Sequence, residues 1–190
     1  ADGTILRADQ PAVPYPVGAG LVPTSTVLAM ADLDEVLTVH EDALAEAHRH
    51  GLPLAFGAVK VFRVFALRWR GDLGEGEAEA REALAAAEVY GATARFAQHA
   101  AAFLADSLME QGRLDEAAAV LAGAWPGEAP PGSTRLLFLG DSARRLRLLR
   151  GDLAGGLEEM LEAGRLFEEV GSRNPAFIAW RSPAALALLQ

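Results

Sequence analysis

Along most of this chain hydrophobic residues return every three or four positions, the spacing of a helix with one buried side. Phe62, Phe65 and Trp69 follow it, and so do Leu136, Leu139, Ala143 and Leu146. One short turn interrupts the pattern at even distances: Ala31-Asp32-Leu33, Gly71-Asp72-Leu73, Gly112-Arg113-Leu114 and Gly151-Asp152-Leu153. The four leucines are spaced by 40, 41 and 39 residues. A fixed period in this range signals stacked repeats.

The register extends beyond the turn. Three residues after each leucine stand Val36, Gly76, Ala117 and Gly156, and ten residues after stand Ala43, Ala83, Ala124 and Ala163. Positions seven apart share one helix face, so both columns leave room for a close neighbour. Gly71, Gly112 and Gly151 sit where a helix should end in a left-handed residue. Asp34 and Asp115 are expected to cap the helices that follow. An alanine-rich chain fills some of these columns by chance, but chance does not also place the glycine turn at even spacing. Each unit therefore reads as helix, tight turn, helix. The fold class expected is all-α, a right-handed superhelical solenoid of antiparallel helix pairs with a period of about 40 residues.

Pro11, Pro14 and Pro16, with Gly18 and Gly20, exclude a regular helix near the start. Residues 1–22 are read as an extended lead-in and residues 23–190 as the helical repeat domain. The pattern predicts a short helix over Thr24–Ala31, then helices over Asp34–His50, Pro53–Arg70, Glu75–Tyr90, Thr93–Gln111 and Asp115–Ala124. A Pro/Gly-rich loop covers 125–132, and Ser133 or Thr134 is expected to cap a helix that runs to Arg150. A further helix is predicted over Ala154–Val170, a helical turn at Asn174-Pro175, and a last helix over Pro183–Gln190. That helix falls in the first slot of a fifth unit and offers Leu186, Leu188 and Leu189. The chain is thus read as about four repeats plus one helix of a longer protein, with self-association expected through the open C-terminal end.

Composition narrows the partners. Of 190 residues 51% are hydrophobic, which is ample for a core, and the net charge of −9 argues against direct nucleic-acid contact through phosphates. There are no cysteines, so disulfides and thiolate zinc sites are excluded. Charges break every long apolar stretch, and no signal peptide is evident, so no membrane contact and a cytoplasmic location are expected. Lys60 is the only lysine, a bias that suits a GC-rich bacterial genome.

Few residues suggest chemistry. Phe138-Leu139-Gly140-Asp141-Ser142-Ala143 is similar to the nucleophile block of GDSL-type esterases. A serine nucleophile needs a histidine base, and His40, His48, His50 and His99 all precede Ser142. The block also lies in a helical pattern, where its glycine and serine permit close packing. No two histidines show the i, i+4 spacing of a helical metal pair, so no metal site is expected. Arg144, Arg145, Arg147 and Arg150 form a basic cluster late in their helix, where the dipole favours cations. Arg144, Arg147 and Arg150 are also candidates for docking an acidic partner or an anionic ligand. Glu75, Glu77, Glu79 and Glu82 are read as a solvated face. Aromatic residues mark the first helix of successive units: Phe62, Phe65 and Trp69, then Phe96 and Phe103. Together with Arg63 they are the candidates for a ligand or peptide groove.

The small-residue columns, the glycine turn and the acidic residue after it resemble the tetratricopeptide repeat, with a period longer than that family's 34 residues and without its closing proline. Two stretches carry a narrower likeness. One is Gly112-Arg113-Leu114-Asp115-Glu116-Ala117. The other comprises Gly151-Asp152-Leu153, Gly164-Arg165-Leu166, and the run from Arg173-Asn174-Pro175-Ala176 through Trp180-Arg181-Ser182 to Ala184-Ala185. These resemble the repeat region of large ATP-dependent regulators of the LuxR family, related to the maltose-regulon activator. The resemblance covers residues 30 to 190. It implies a ligand- or partner-sensing segment of a bacterial transcriptional regulator, without catalysis of its own. It further implies that ATP binds only an upstream module, that a helix-turn-helix module follows, and that the partners are a small-molecule inducer or protein together with those modules. The alternative is a free-standing tetratricopeptide-like adaptor for protein–protein interaction.

Overall fold

The computed structural model describes residues 32–90, 94–124, 137–169 and 179–189. The lead-in, the helix expected over Thr24–Ala31, the 125–132 loop, the Ser133/Thr134 cap and the Asn174-Pro175 turn lie outside these residues. Among the described residues the chain is all-helical, with eight helices and no strand: α1 (Leu33–Arg49), α2 (Pro53–Arg70), α3 (Leu73–Tyr90), α4 (Ala94–Glu110), α5 (Leu114–Ala124), α6 (Leu137–Leu149), α7 (Leu153–Glu169) and α8 (Arg181–Leu188). None of them is long and apolar enough to cross a membrane.

The turns form as their sequence dictates. Gly51, Gly71, Gly112 and Gly151 have φ of 61°, 94°, 76° and 90°, a region closed to most side chains. At each, the backbone closes with the same pair of hydrogen bonds. Asp72 N–H donates to Leu67 O at 2.9 Å and Gly71 N–H to Arg68 O at 3.1 Å. Arg113 and Asp152 repeat the longer bond to Leu108 O and Arg147 O. This double closure satisfies carbonyls that the helix end would orphan.

The turn leucines Leu33, Leu73, Leu114 and Leu153 open α1, α3, α5 and α7. The cap therefore falls one residue before the leucine rather than after it. Asp32 is extended and its carboxylate accepts from Asp34 N–H at 2.9 Å and Glu35 N–H at 3.1 Å. Asp152 Oδ1 accepts from Gly155 N–H at 3.1 Å. Asp34 and Asp115, expected as caps, lie instead in the first helical turn, where negative charge is welcome.

Each helix packs on the next in sequence. In addition α2 packs on α4, α4 on α6 and α6 on α8. α4 has neighbours on all sides, so every residue from Ala100 to Met109 is buried. Both small-residue columns face neighbours: Val36, Gly76, Ala117, Gly156, Ala43, Ala83 and Ala163 are buried, and Ala124 partly so. A Cβ at residue 156 would stand 2.7 Å from Leu148 Cδ2, so any larger residue there requires Leu148 to move.

Arginine–carboxylate pairs join the turns across the stack. Arg70 reaches Asp34 at 3.2 Å, Arg113 reaches Glu77 at 2.6 Å, and Arg150 pairs with Asp115. Arg81, joined by Arg113 and Gln111, holds the Glu77 carboxyl down at about 2.

Candidate functional site: a cavity across α2, α4, α6 and α8

Three helices bring the same pattern to one place. Phe65-Ala66-Leu67-Arg68-Trp69 lies on α2, Phe103-Leu104-Ala105-Asp106-Ser107 on α4 and Phe138-Leu139-Gly140-Asp141-Ser142 on α6. A phenylalanine and a charged residue three positions on share a helix face. Since α2, α4 and α6 pack in series, the rings form a row. Phe65 and Phe103 centroids lie 5.5 Å apart, Phe103 and Phe138 5.1 Å. The three phenylalanines line a cavity of about 400 Å³, which α8 helps enclose through Pro183 and Leu186. Trp69, Leu149 and Leu186 at its edge are exposed large apolar side chains. The volume lies within the roughly 300–1,000 Å³ of small-molecule sites.

One turn along from the rings lie Arg68, Asp106 and Asp141, and two turns along Glu110 and Arg145, which together make a charged wall. Arg145 donates to Glu110 Oε1 at 2.8 Å. It also stands 3.0 Å from Asp106 Oδ1, near enough for an ion pair but not aligned to donate there. Arg68 lies 3.7 Å from Asp106 and 3.9 Å from Glu110. Two guanidiniums are thus shared by two carboxylates. Among the described residues Asp141 forms no ion pair within 4 Å, and its Oδ1 is buried without a hydrogen bond; Arg144, Arg145 and Arg68 act on it only from farther off. Burial, reinforced by the charge of Asp106, pushes the Asp141 carboxyl up to about 6.

The serines of the pattern are spent on backbone. Ser107 Oγ donates to Phe103 O at 3.0 Å, and Ser142 Oγ donates to Ala102 O at 3.3 Å, tying α6 to α4. Both are fully buried.

The groove residues expected from sequence separate. Phe65, Trp69 and Phe103 line the cavity. Phe62 is buried behind it, 6.3 Å from the Phe103 ring and from the His99 ring. Phe96 belongs to α4, but its side chain lies outside the described set. Arg63 is not a cavity residue. It is buried among α1, α2 and α3, donates to Glu75 and Glu79 at 2.9 Å, and reaches Glu41 at 3.2 Å and Leu37 O at 3.4 Å. Those carboxylates raise its already high pKa despite burial. Four acceptors on two neighbouring helices claim the guanidinium, so most of its donors are already engaged. The same clamp alters Glu75 and Glu79, expected on a solvated face. Beside it, burial and the Arg63 charge lower His40 to about 4, so His40 is neutral at pH 7.

The basic cluster is also divided. Arg147 bonds Asp152 at 2.9 Å and pairs with Glu159 on α7, while Arg150 pairs with Asp115 on α5. Arg144 is half-buried against Gly140, and burial lowers its pKa. No group of three or more metal-ligating side chains occurs among the described residues.

Arg68, Asp106, Glu110, Phe138, Asp141 and Arg145 complete the cavity and were not among the sequence candidates for it. A signal was present. Phe103-Leu104-Ala105-Asp106-Ser107 and Phe138-Leu139-Gly140-Asp141-Ser142 differ at one position. The block similar to an esterase nucleophile is therefore one copy of an internal repeat. Comparison with family models, curated proteins and solved structures finds no match to this chain.

Proposed function

We propose that this chain is a ligand- or partner-sensing helical repeat segment of a cytoplasmic bacterial transcriptional regulator, with no catalysis of its own. Its architecture on this reading is a right-handed, tetratricopeptide-like solenoid of antiparallel helix pairs, in which α2, α4, α6 and α8 form the inner, recognising layer. The observation that carries it is the 400 Å³ cavity floored by Phe65, Phe103 and Phe138. Contacts between alternate helices and the repeated glycine closure support the solenoid. The buried Ser142 hydroxyl, given to a backbone carbonyl, supports recognition over ester hydrolysis.

A thermal-shift screen of sugars and small metabolites tests ligand sensing. A specific ligand at 100 times its Kd stabilises by about 2.7 kcal/mol, and Trp69→Ala should weaken the response. Failure of every compound to shift the melting temperature would count against the cavity as a sensor. The regulator assignment is tested separately by the full reading frame, which should encode a nucleotide-binding motif before this segment and a helix-turn-helix after it. Absence of both would leave the protein–protein adaptor as the better reading.

A further inference from the structure

We infer that the cavity selects a small cationic amine with an apolar body, and that Asp141 is its counter-charge. This rests on the cavity being a ligand site, as proposed above.

Charge matching leads to the amine. Three carboxylates and two guanidiniums line the wall. Arg145 and Arg68 are both engaged by Asp106 and Glu110. Asp141 is the carboxylate that no guanidinium approaches within 4 Å among the described residues: its buried Oδ1 accepts no hydrogen bond, and Arg144 and Arg145 on its own helix act on it only at longer range. A buried charge without a partner is costly, so a ligand that supplies one gains more than it would at an exposed carboxylate. The ordinary donors to a lone carboxylate are an ammonium or a neutral N–H or O–H, and the charged donor is the stronger.

The floor favours the same class. Aromatic rings attract a cation through their quadrupoles, and Phe65, Trp69, Phe103 and Phe138 all line the cavity beside Asp141. An anionic ligand is disfavoured twice. Both guanidiniums already hold carboxylates, and Asp141 would repel it. A neutral apolar ligand gains the floor and leaves Asp141 unsatisfied.

The test uses one carbon skeleton with three head groups: 4-phenylbutylamine, 4-phenylbutanol and 4-phenylbutyrate, titrated into the 190-residue chain at pH 7.5 by calorimetry, with Trp fluorescence as a second readout. The amine should bind at least tenfold more tightly than the alcohol, and the carboxylate more weakly than both. Asp141→Asn, nearly the same shape, should bring the amine-to-alcohol ratio close to one while the alcohol's own affinity holds. Equal binding of amine and alcohol to the unaltered chain overturns the inference and leaves the cavity as a ligand site. The inference is overturned in the same way if Asp141→Asn folds, by circular dichroism, and keeps the tenfold ratio. Binding of none of the three overturns both the inference and the ligand-site reading beneath it.

Discussion

The indole of Trp180 occupies the place where residue 164 would otherwise carry a Cβ: an atom built there would lie 2.6 Å from the Trp180 ring. Gly164 on α7 is buried, and Trp180, one residue before α8, packs against the main core. Arg181 stacks over the same indole at 4.5 Å and holds Glu168 at 2.6 Å. α8, which helps enclose the cavity, is thus seated on α7 by the glycine–tryptophan contact just before it together with the Arg181–Glu168 pair. Gly164→Ala should destabilise by about 1–3 kcal/mol through overpacking. Gly57→Ala on α2, where a Cβ meets nothing within 4 Å, should stabilise by about 0.5–1 kcal/mol. Urea unfolding of both variants checks the opposite signs.

Arg63 holds three carboxylates from two other helices. Arg63→Leu leaves Glu79, only 15% exposed, without its ion-pair partner and with just the more distant Lys60 charge near it, while Glu41 and Glu75 are more exposed to water. The expected loss is about 3 kcal/mol, at the lower end for a broken buried pair because two of the partners are solvated. Arg63→Lys should rescue little, since an ammonium lacks the planar fork that reaches all three. Thermal unfolding of the two variants measures this, and amine binding at the cavity should survive in whichever folds.

Asp141 sets a pH dependence. Its carboxyl is raised from 3.8 to about 6 in the folded chain. Folding therefore prefers the protonated form: the stability this gives is complete below about pH 4 and lost as pH rises through 6. The facing groups are Arg68 on α2, Asp106 on α4, and Arg144 and Arg145 on its own helix. Asp141→Asn should stabilise by about 1–3 kcal/mol at pH 7.5 and by little at pH 4. Denaturant midpoints of both proteins at both pH values decide it. A gain equal at the two values would mean that the charge is not what costs stability.

Ser142→Ala removes the bond to Ala102 O that ties α6 to α4. A loss of about 1 kcal/mol in stability is expected. Hydrolysis of p-nitrophenyl acetate by the chain should be the same in the variant and the parent. A rate that disappears with the hydroxyl would restore the esterase reading.

Much of the helical layout was legible. α2 begins at Pro53 and ends at Arg70 as the pattern requires, and the other described helices depart from expectation by no more than about three residues at the ends compared. The cap lies before the turn leucine, not after it as the pattern suggests. Asp34 and Asp32 are equally plausible acceptors in sequence, and only the extended backbone at residue 32 puts its carboxylate against the free N–H groups. The aromatic half of the cavity was legible as well, since Phe65, Trp69 and Phe103 carry a helical period. The charged half was not, because the partners of Arg145 lie 35 and 39 residues away on another helix. Arg63 is illegible for the same reason: it follows Phe62 directly in the same aromatic stretch, yet its acceptors come from α1 and α3.

What the order of residues determined by itself is local. Glycine with positive φ, a closing pair of hydrogen bonds across six residues, and small side chains seven apart are satisfied within one turn or one helix. What tertiary structure alone decided is which charges meet. The pairing of Arg68 and Arg145 with Asp106 and Glu110, which leaves Asp141 without an ion pair within 4 Å, depends on helices that approach one another from distant parts of the chain. Coulomb energy follows distance in space and the dielectric around it, and neither is written in sequence separation.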